Sequence, residues 1–464
     1  MLKWISILSI FCLFFPTYIV KAQTTNSSLP IYIVQSGDTL NTIASRFNVS
    51  PIDIEKVNNI TNPDEISVGQ QLSIPDLPGI TGILQTIVVP FGQSIESISH
   101  QYQIPVANLI SLNHITSPMQ LYAGSYLIIP QPESATNINV SQTIIQSGET
   151  FLEAAASTGL NPWELALSND MNGTWNALPG EGLFYQSLGD QTSSELINPL
   201  ISSVTIKPLP ITQGNTVLVS LQSKSISTLE GDLSAYTLNF LLANPGQYVA
   251  LQGISAMIEP GLYPLRLYGS FSDGSKFDYQ QNVLVNAGYF PKDPPLTVPP
   301  ETIDPTVTAP EDSQVAILVK PVTTTRYWSG PFRLPVDEPI CIESGYGDRR
   351  SYNGSDYTYF HTGIDFGTCA NNLNIYAPAA GVVVFTGLLT VRGNTVIIDH
   401  GWGIYSGLYH QSKILVQVGQ KVEAGQLIGI IGATGRVNGP HVHWDLFVNS
   451  IQANPLDWTT NNYP

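Results

Sequence analysis

The 464-residue chain reads as a multidomain, mainly β protein, with small βααβ modules first, a β-sandwich next and an antiparallel β domain at its C-terminal end. Three observations predict this. The N-terminal part repeats itself: a shift of 55 residues lays Gly37 on Gly92, Ile43 on Ile98, Asn58 on Asn113 and Pro75 on Pro130 without a gap. The middle alternates short apolar runs with turn residues such as Asn244-Pro245-Gly246. Five of the seven histidines then fall between residues 361 and 443, among Gly- and Pro-rich turns.

Composition narrows the class of partner. Eighteen Lys plus Arg against 35 Asp plus Glu give a net charge of −17, which argues against nucleic acid or an anionic membrane surface as partner. Charged residues are only 11% of the chain, so a glycan partner would be recognised by hydrogen bonds and stacking. Lys3, the apolar run Trp4 to Phe15 and Val20-Lys21-Ala22 before Gln23 predict a cleaved signal peptide over 1–22. The run falls short of the roughly 20 residues a spanning helix needs, so no membrane span is expected after cleavage and the protein should be secreted, periplasmic or extracellular. Cys341 and Cys369 remain, and two arrangements are open: a disulfide, or two free buried thiols.

The repeated unit occurs three times, at 31–76, 84–131 and, more diverged, 141–188. In the first copy Tyr32 to Gln35 reads as a strand. Leu40, Ile43, Ala44 and Phe47 follow at i, i+3, i+4 and i+7, an amphipathic helix. Ser50-Pro51 opens a second short helix, and Gln71 to Ile74 reads as a closing strand. Val34-Gln35-Ser36-Gly37-Asp38-Thr39-Leu40, Asn58 and Gly69-Gln70-Gln71-Leu72-Ser73-Ile74-Pro75 resemble the LysM family. In the third copy Thr158 replaces the aromatic and the closing Ile-Pro is lost. The resemblance implies binding of N-acetylglucosamine-containing glycans, chiefly peptidoglycan. The implied contacts are Gly37, Asp38, Thr39, Asn62, Pro63 and Asp64 in the first copy, and Gly92, Gln93, Ser94, Ser117 and Pro118 in the second. Gly37 and Asp38 would equally serve as a turn and a helix cap.

Short alternating runs from Ser203 to Val285 predict an Ig-like β-sandwich over 195–290, assigned a spacer or positioning role. Seven prolines between Phe290 and Asp312 predict an extended, semi-rigid linker over 291–312.

The domain from 313 to 464 carries the histidines in three patterns: His361-Thr362-Gly363-Ile364-Asp365, Tyr409-His410 and His441-Val442-His443. Residues i and i+2 of a strand share a face, so His441 and His443 would turn two imidazoles toward one point. Two imidazoles and a carboxylate, with water in the fourth position, are the open arrangement of a hydrolytic zinc ion. Together with Ser344-Gly345-Tyr346-Gly347, Tyr376-Ala377-Pro378, Asp399-His400-Gly401 and Gly439-Pro440, these patterns resemble the M23 family of lysostaphin-like zinc metallopeptidases. The resemblance covers about Arg326 to Trp458. It implies a single Zn²⁺ on His361, Asp365 and His443, with His410 and His441 as catalytic histidines. His400 reads as structural; Asp399 and Asp445 are either partners that orient an imidazole or solvated carboxylates; Arg436, Tyr357 and Tyr359 are candidate groove residues. Gln411 departs from the Leu more usual in the family. The implied activity is hydrolysis of a peptide bond in the stem or cross-bridge of bacterial cell wall. The alternative is a non-catalytic wall-binding scaffold or amidase activator.

Overall fold

A computed structural model describes residues 29–117, 120–131, 140–145, 148–169, 171, 182–186 and 200–464. The expected signal peptide, Pro118 and parts of the third repeat lie outside the described residues. Two compact units emerge: the described residues up to 84 with 130–131, and residues 85–129 with the described residues from 140 onward. Among the described residues no helix is long and apolar enough to cross a membrane.

In the first unit Ile31–Ile33 pairs antiparallel with Gln71–Ser73, and helices Leu40–Phe47 and Pro51–Asn58 lie between them in sequence. The first helix starts where Thr39 and Thr42 cap each other reciprocally, and its Leu40, Ile43, Ala44 and Phe47 are buried. Asn58 explains its place in the repeat: its side-chain amide donates to the carbonyls of Ile54 and Ser73 and its oxygen accepts from the Ser73 N–H, tying second helix to closing strand. In the other unit, Asn113 does the same for Leu109 and Ile128, and Asn169 for Leu165 and Phe184. The third copy keeps the order of elements, with strands Val140–Ile144 and Gly182–Gln186 paired antiparallel and helices Phe151–Thr158 and Pro162–Ser168 between.

The region after residue 200 is a two-sheet sandwich. One sheet runs Tyr236–Thr237, Ile226–Leu233, Gly261–Phe271, Lys276–Asn286, Ile211–Thr212; the other runs Leu241–Asn244, Gln247–Gly253, Thr216–Gln222, Ser203–Lys207. Val217, Val219 and Leu221 alternate into its core, which Phe91 and Ala123 of the second repeat also enter. The Ala123 N–H donates to Asn282 O at 3.1 Å and its carbonyl accepts from Leu284 N at 2.9 Å. Gly124 has φ +88°, and a Cβ there would lie 3.2 Å from the Pro210 Cα, so the close seat suits glycine.

The C-terminal sheet has the order Ile342–Ser344, Ile364–Phe366, Val442–Val448, Ile404–Gln411, Gly393–Gly401, Gly381–Leu389, Lys421–Val422. Strands Ile404–Gln411 and Val442–Val448 are buried along their whole length, as expected of strands covered on both faces. Cys341 and Cys369 are joined in a disulfide, with Cα atoms 5.8 Å apart.

The sandwich packs directly on the C-terminal domain: Val249, Leu251 and Ala256 share one core with Trp328, Trp444 and Trp458. Trp458 Nε1–H donates to Thr216 Oγ1 at 2.8 Å and Asn454 N–H to Gly214 O at 2.9 Å. The 291–312 segment departs from the expected extended linker. Asp293 N–H and Leu296 N–H bond the carbonyls of Arg349 and Ser351, and helix Pro305–Leu318 begins inside the segment. Pro305 suits the helix start, because it occupies the first turn, where no N–H partner is lost, behind the capping Asp304; Pro310 lies inside the helix, which gives up one backbone bond there. Val315 and Val319 then pack on Ile397, Tyr405 and Phe447.

Candidate metal centre and substrate groove

Strand pairing brings the acid and two of the histidines together. Asp365 lies directly opposite His443, and His443 opposite Tyr409, across three neighbouring strands. His361 enters from the preceding turn, its N–H donating to Asp348 O at 2.8 Å. His361 Nε2, Asp365 Oδ1 and His443 Nδ1 form a triangle with edges of 2.9 to 3.0 Å, and all three residues are buried. The atoms converge as one small divalent cation at bond lengths of ~2.0–2.2 Å would require, and the donor set is that of hydrolytic zinc sites.

Each imidazole is oriented through its other nitrogen. His361 Nδ1–H donates to Gly345 O at 2.8 Å, leaving Nε2 as the lone-pair atom. His443 Nε2–H donates to Asp445 Oδ1 at 2.7 Å, which frees Nδ1 for the triangle. Asp445 is therefore a partner of the site rather than a solvated carboxylate, and it is fully buried. Its Oδ2 accepts from Tyr409 OH at 3.0 Å, while the Tyr409 ring stacks on His443 at 5.2 Å.

The charges are strongly coupled. Burial opposes ionisation of Asp365, but His361 and His443 outweigh it and hold the carboxyl well below the usual range. Burial likewise pulls His443 down, yet Asp445 and Asp365 raise it to about 9. Without a cation, a proton on His443 balances the carboxylates; a divalent cation can take over that role.

His410 and His441 stand together beside the triangle, ring centroids 4.9 Å apart. His410 Nδ1–H donates to Thr434 O at 2.8 Å and His441 Nδ1–H to Gly439 O at 3.0 Å, so both Nε2 atoms remain for other partners. His441 Nε2 lies 3.5 Å from Asp365 Oδ1. Burial and the neighbouring His441 and His443 push His410 down to about 3, so it is held neutral. His410 has φ 61°, a left-handed value uncommon outside glycine, at the end of its strand.

Other candidates sort differently. His400 is fully buried away from these groups, between Ala380 O and Ser406 Oγ, and burial pushes it down to about 4. Asp399 accepts from Thr323 and the Gly401 N–H, a turn role. Gln411 is buried, its amide donating to Leu408 O. Tyr357 bonds Asp293 O, while Tyr359 and Arg436 line a groove of about 620 Å³ that also holds the four site histidines and Asp365.

Sequence reading missed Arg350, Arg392 and Glu311. Arg350 joins Asp293, Ser344 and Asp365, and Glu311 accepts from Arg392 and from the N–H groups of Val391 and Arg392. The Asp304-Pro305 start signal could have revealed the helix that carries Glu311; Arg350 stands in the motif run that opens with Ser344-Gly345-Tyr346-Gly347, though without an assigned role, and no local pattern announces Arg392.

In the first repeat, Gly37, Thr39, Asn62, Pro63 and Asp64 are exposed on two loops. Asp38 is committed internally: it accepts from Tyr32 OH at 2.6 Å and pairs with Arg46 at 2.9 Å. In the second repeat the Gly92 N–H is taken by Gln281 Oε1 at 2.6 Å, and Gln93 accepts from Ser97 Oγ. Ser94 caps helix Ile95–Tyr102.

Residues 359–455 match the model of peptidase family M23, and residues 32–75 and 87–130 match that of the LysM domain. The chain is 40% identical over 124 residues to the peptidoglycan DD-endopeptidase ShyA of Vibrio cholerae, covering 27% of this chain and 29% of that protein. It is 36% identical over 96 residues to the DD-carboxypeptidase/endopeptidase Mpg of Neisseria meningitidis, covering 21% and 22%. The chain thus spans less than a third of the length of either relative. Among solved structures, the catalytic domain of lysostaphin from Staphylococcus simulans aligns at 29% identity over 26% of this chain and 93% of that one, with a TM-score of 0.24.

Proposed function

From a chain that carries a peptidase family M23 domain at 359–455 and LysM domains at 32–75 and 87–130, we propose a peptidoglycan-binding zinc metalloendopeptidase. It is exported, associates with the cell wall in the periplasm or outside the cell, and hydrolyses peptide bonds in the stem or cross-bridge. The observation that carries the reading is the buried triangle of His361 Nε2, Asp365 Oδ1 and His443 Nδ1 beside the paired His410 and His441. The name of ShyA, a peptidoglycan DD-endopeptidase, supports the substrate class.

His361, Asp365 and His443 would hold one Zn²⁺, which would supply Lewis-acid polarisation of a carbonyl and activation of water. Asp445 and Gly345 O keep the two imidazoles in the tautomers that present lone pairs to it. His410 and His441 exchange protons at Nε2, because their Nδ1 atoms are tied to backbone carbonyls. A protonated Nε2 also donates to the oxyanion that develops at the scissile carbonyl. The exposed loops of the first LysM domain, with Gly37, Asn62, Pro63 and Asp64, meet N-acetylglucosamine-containing strands. Asp38 and Thr39 shape that loop from within. Tandem weak modules raise the effective concentration of wall at the groove.

The test is incubation of zinc-loaded and chelator-treated protein with peptidoglycans of differing cross-bridge, with released fragments read by mass spectrometry. New peptide termini that vanish on chelation are expected. Binding to the wall without fragments, despite bound zinc, would replace the enzyme by a scaffold.

A further inference from the structure

The groove contains three guanidinium groups, and they differ in how their charge is met. Arg350 is neutralised by Asp293 and Asp365, and Arg392 by Glu311 and Asp312. Arg436 has no carboxylate partner among the described residues. Its Nη1–H donates to Thr302 O at 2.9 Å and its guanidinium carbon lies 4.7 Å from the centre of the Tyr352 ring. These two contacts fix the plane of the group and engage one of its five N–H donors. Its own backbone N–H is bonded to Val391 O, so the residue is anchored at the rim between two loops and only partly buried. An anchored, stacked guanidinium with spare donors and no internal counter-ion is suited to bidentate capture of a carboxylate.

We propose that Arg436 is a specificity-determining residue that binds a free carboxylate of the peptide substrate, so that the groove selects acidic peptides over their amidated counterparts. The inference rests on the reading of this groove as a peptide-cleaving site. It also gives the 291–312 segment a part in selection, since Thr302 O holds the guanidinium in place. The hydroxyl-bearing and aromatic walls, Tyr352 and Tyr359 among them, bring no competing cation to that point.

The experiment uses the full chain and two probes: a synthetic cross-linked dimer of peptidoglycan stem peptides with free carboxylates, and the same dimer with those groups as primary carboxamides. Binding of each to metal-free protein is measured by calorimetry, and hydrolysis by zinc-loaded protein is followed separately. Wild type is expected to favour the carboxylate dimer roughly tenfold to a hundredfold. Arg436→Gln should bring the ratio close to one, and Arg436→Lys, which keeps a point charge without the fork, should retain part of it. Equal binding of the two dimers by wild type, or an unchanged ratio in Arg436→Gln, overturns the proposal. Should the Gln variant not fold, an undiminished ratio in Arg436→Lys overturns it as well. Discrimination without peptide-bond cleavage would remove the peptidase reading and leave the carboxylate site standing.

Discussion

Arg350 Nη2 donates to Asp365 Oδ2 at 2.8 Å while Oδ1 of the same carboxylate faces His361 and His443. One oxygen is thereby reserved for the protein and the other for the cation. Asp293 and Ser344 hold Arg350 from behind, and Ser344 Oγ, which donates to Asp293, also lies 3.1 Å from His361 Nδ1, so the 291–312 segment reaches the candidate metal centre through Arg350 and through Ser344. Arg350→Met should weaken zinc binding roughly tenfold to a hundredfold, the range typical when the support of a ligand is lost. Competition with a chromophoric chelator measures it, and wild-type affinity in the variant would deny Arg350 this positioning role.

The five residues of the centre should separate into two groups. His361→Ala, Asp365→Ala and His443→Ala are expected to lose stoichiometric zinc, since each removes one vertex of the donor triangle. His410→Ala and His441→Ala should retain the metal and lose turnover by about a hundredfold or more. Metal analysis beside a peptide-release assay checks both, and activity in carefully demetallated wild type would sink the scheme.

Glu311 is buried at 6% exposure and accepts from two backbone N–H groups as well as from Arg392. Glu311→Ala leaves two backbone donors unmet and Arg392 with only the exposed Asp312 as counter-ion, which should cost about 1–3 kcal/mol in the region around it. Faster proteolysis within Pro305–Leu318 and a lower midpoint in urea are the expected readouts.

Module one should be acid-sensitive through Asp38. Burial opposes its ionisation, but Tyr32, the Gln35 N–H and Arg46 prevail and lower its pKa in the fold. The contribution to stability is therefore complete above the unfolded value of ~3.9 and is lost as pH falls through the depressed folded value. Hydrogen exchange over residues 31–75 in the full chain should quicken in that acidic window. Asp38→Asn should remove most of this dependence, and a variant with the wild-type profile would assign it elsewhere.

Local patterns in the chain carried much of this architecture. The i, i+3, i+4, i+7 spacing of Leu40 to Phe47 and the closing strand are short-range features, and propensity plus burial of one face is enough to read them, whereas the cap falls on Thr39 and not on the expected Asp38. His361, Asp365 and His443 were named through the resemblance to a family, whereas the spacing alone pointed to His441 and His443; the pairing of Asp365 opposite His443 belongs to the sheet. The role of Asp445 stayed open, since the same residue two positions beyond a histidine can face solvent or an imidazole, and it is the burial of the whole strand Val442–Val448, with Tyr409 packed on His443, that removes the solvent.

The sequence by itself determined the repeated modules, the alternating strands and the donor types, because period and side-chain chemistry act over a few residues, but not the helix Pro305–Leu318. Tertiary structure alone decided which charges are met and which are not. Pairings such as Arg392 with Glu311, 81 residues apart, and Arg436 with Thr302, 134 apart, depend on strand register and on the seat of the helix Pro305–Leu318. The same long-range packing turned a proline-rich stretch from an expected linker into a wall of the groove: Leu296, Val298 and Ile303 line it, and the helix that begins in the stretch is held on the sheet by Val315 and Val319 just beyond it, since apolar side chains leave water there.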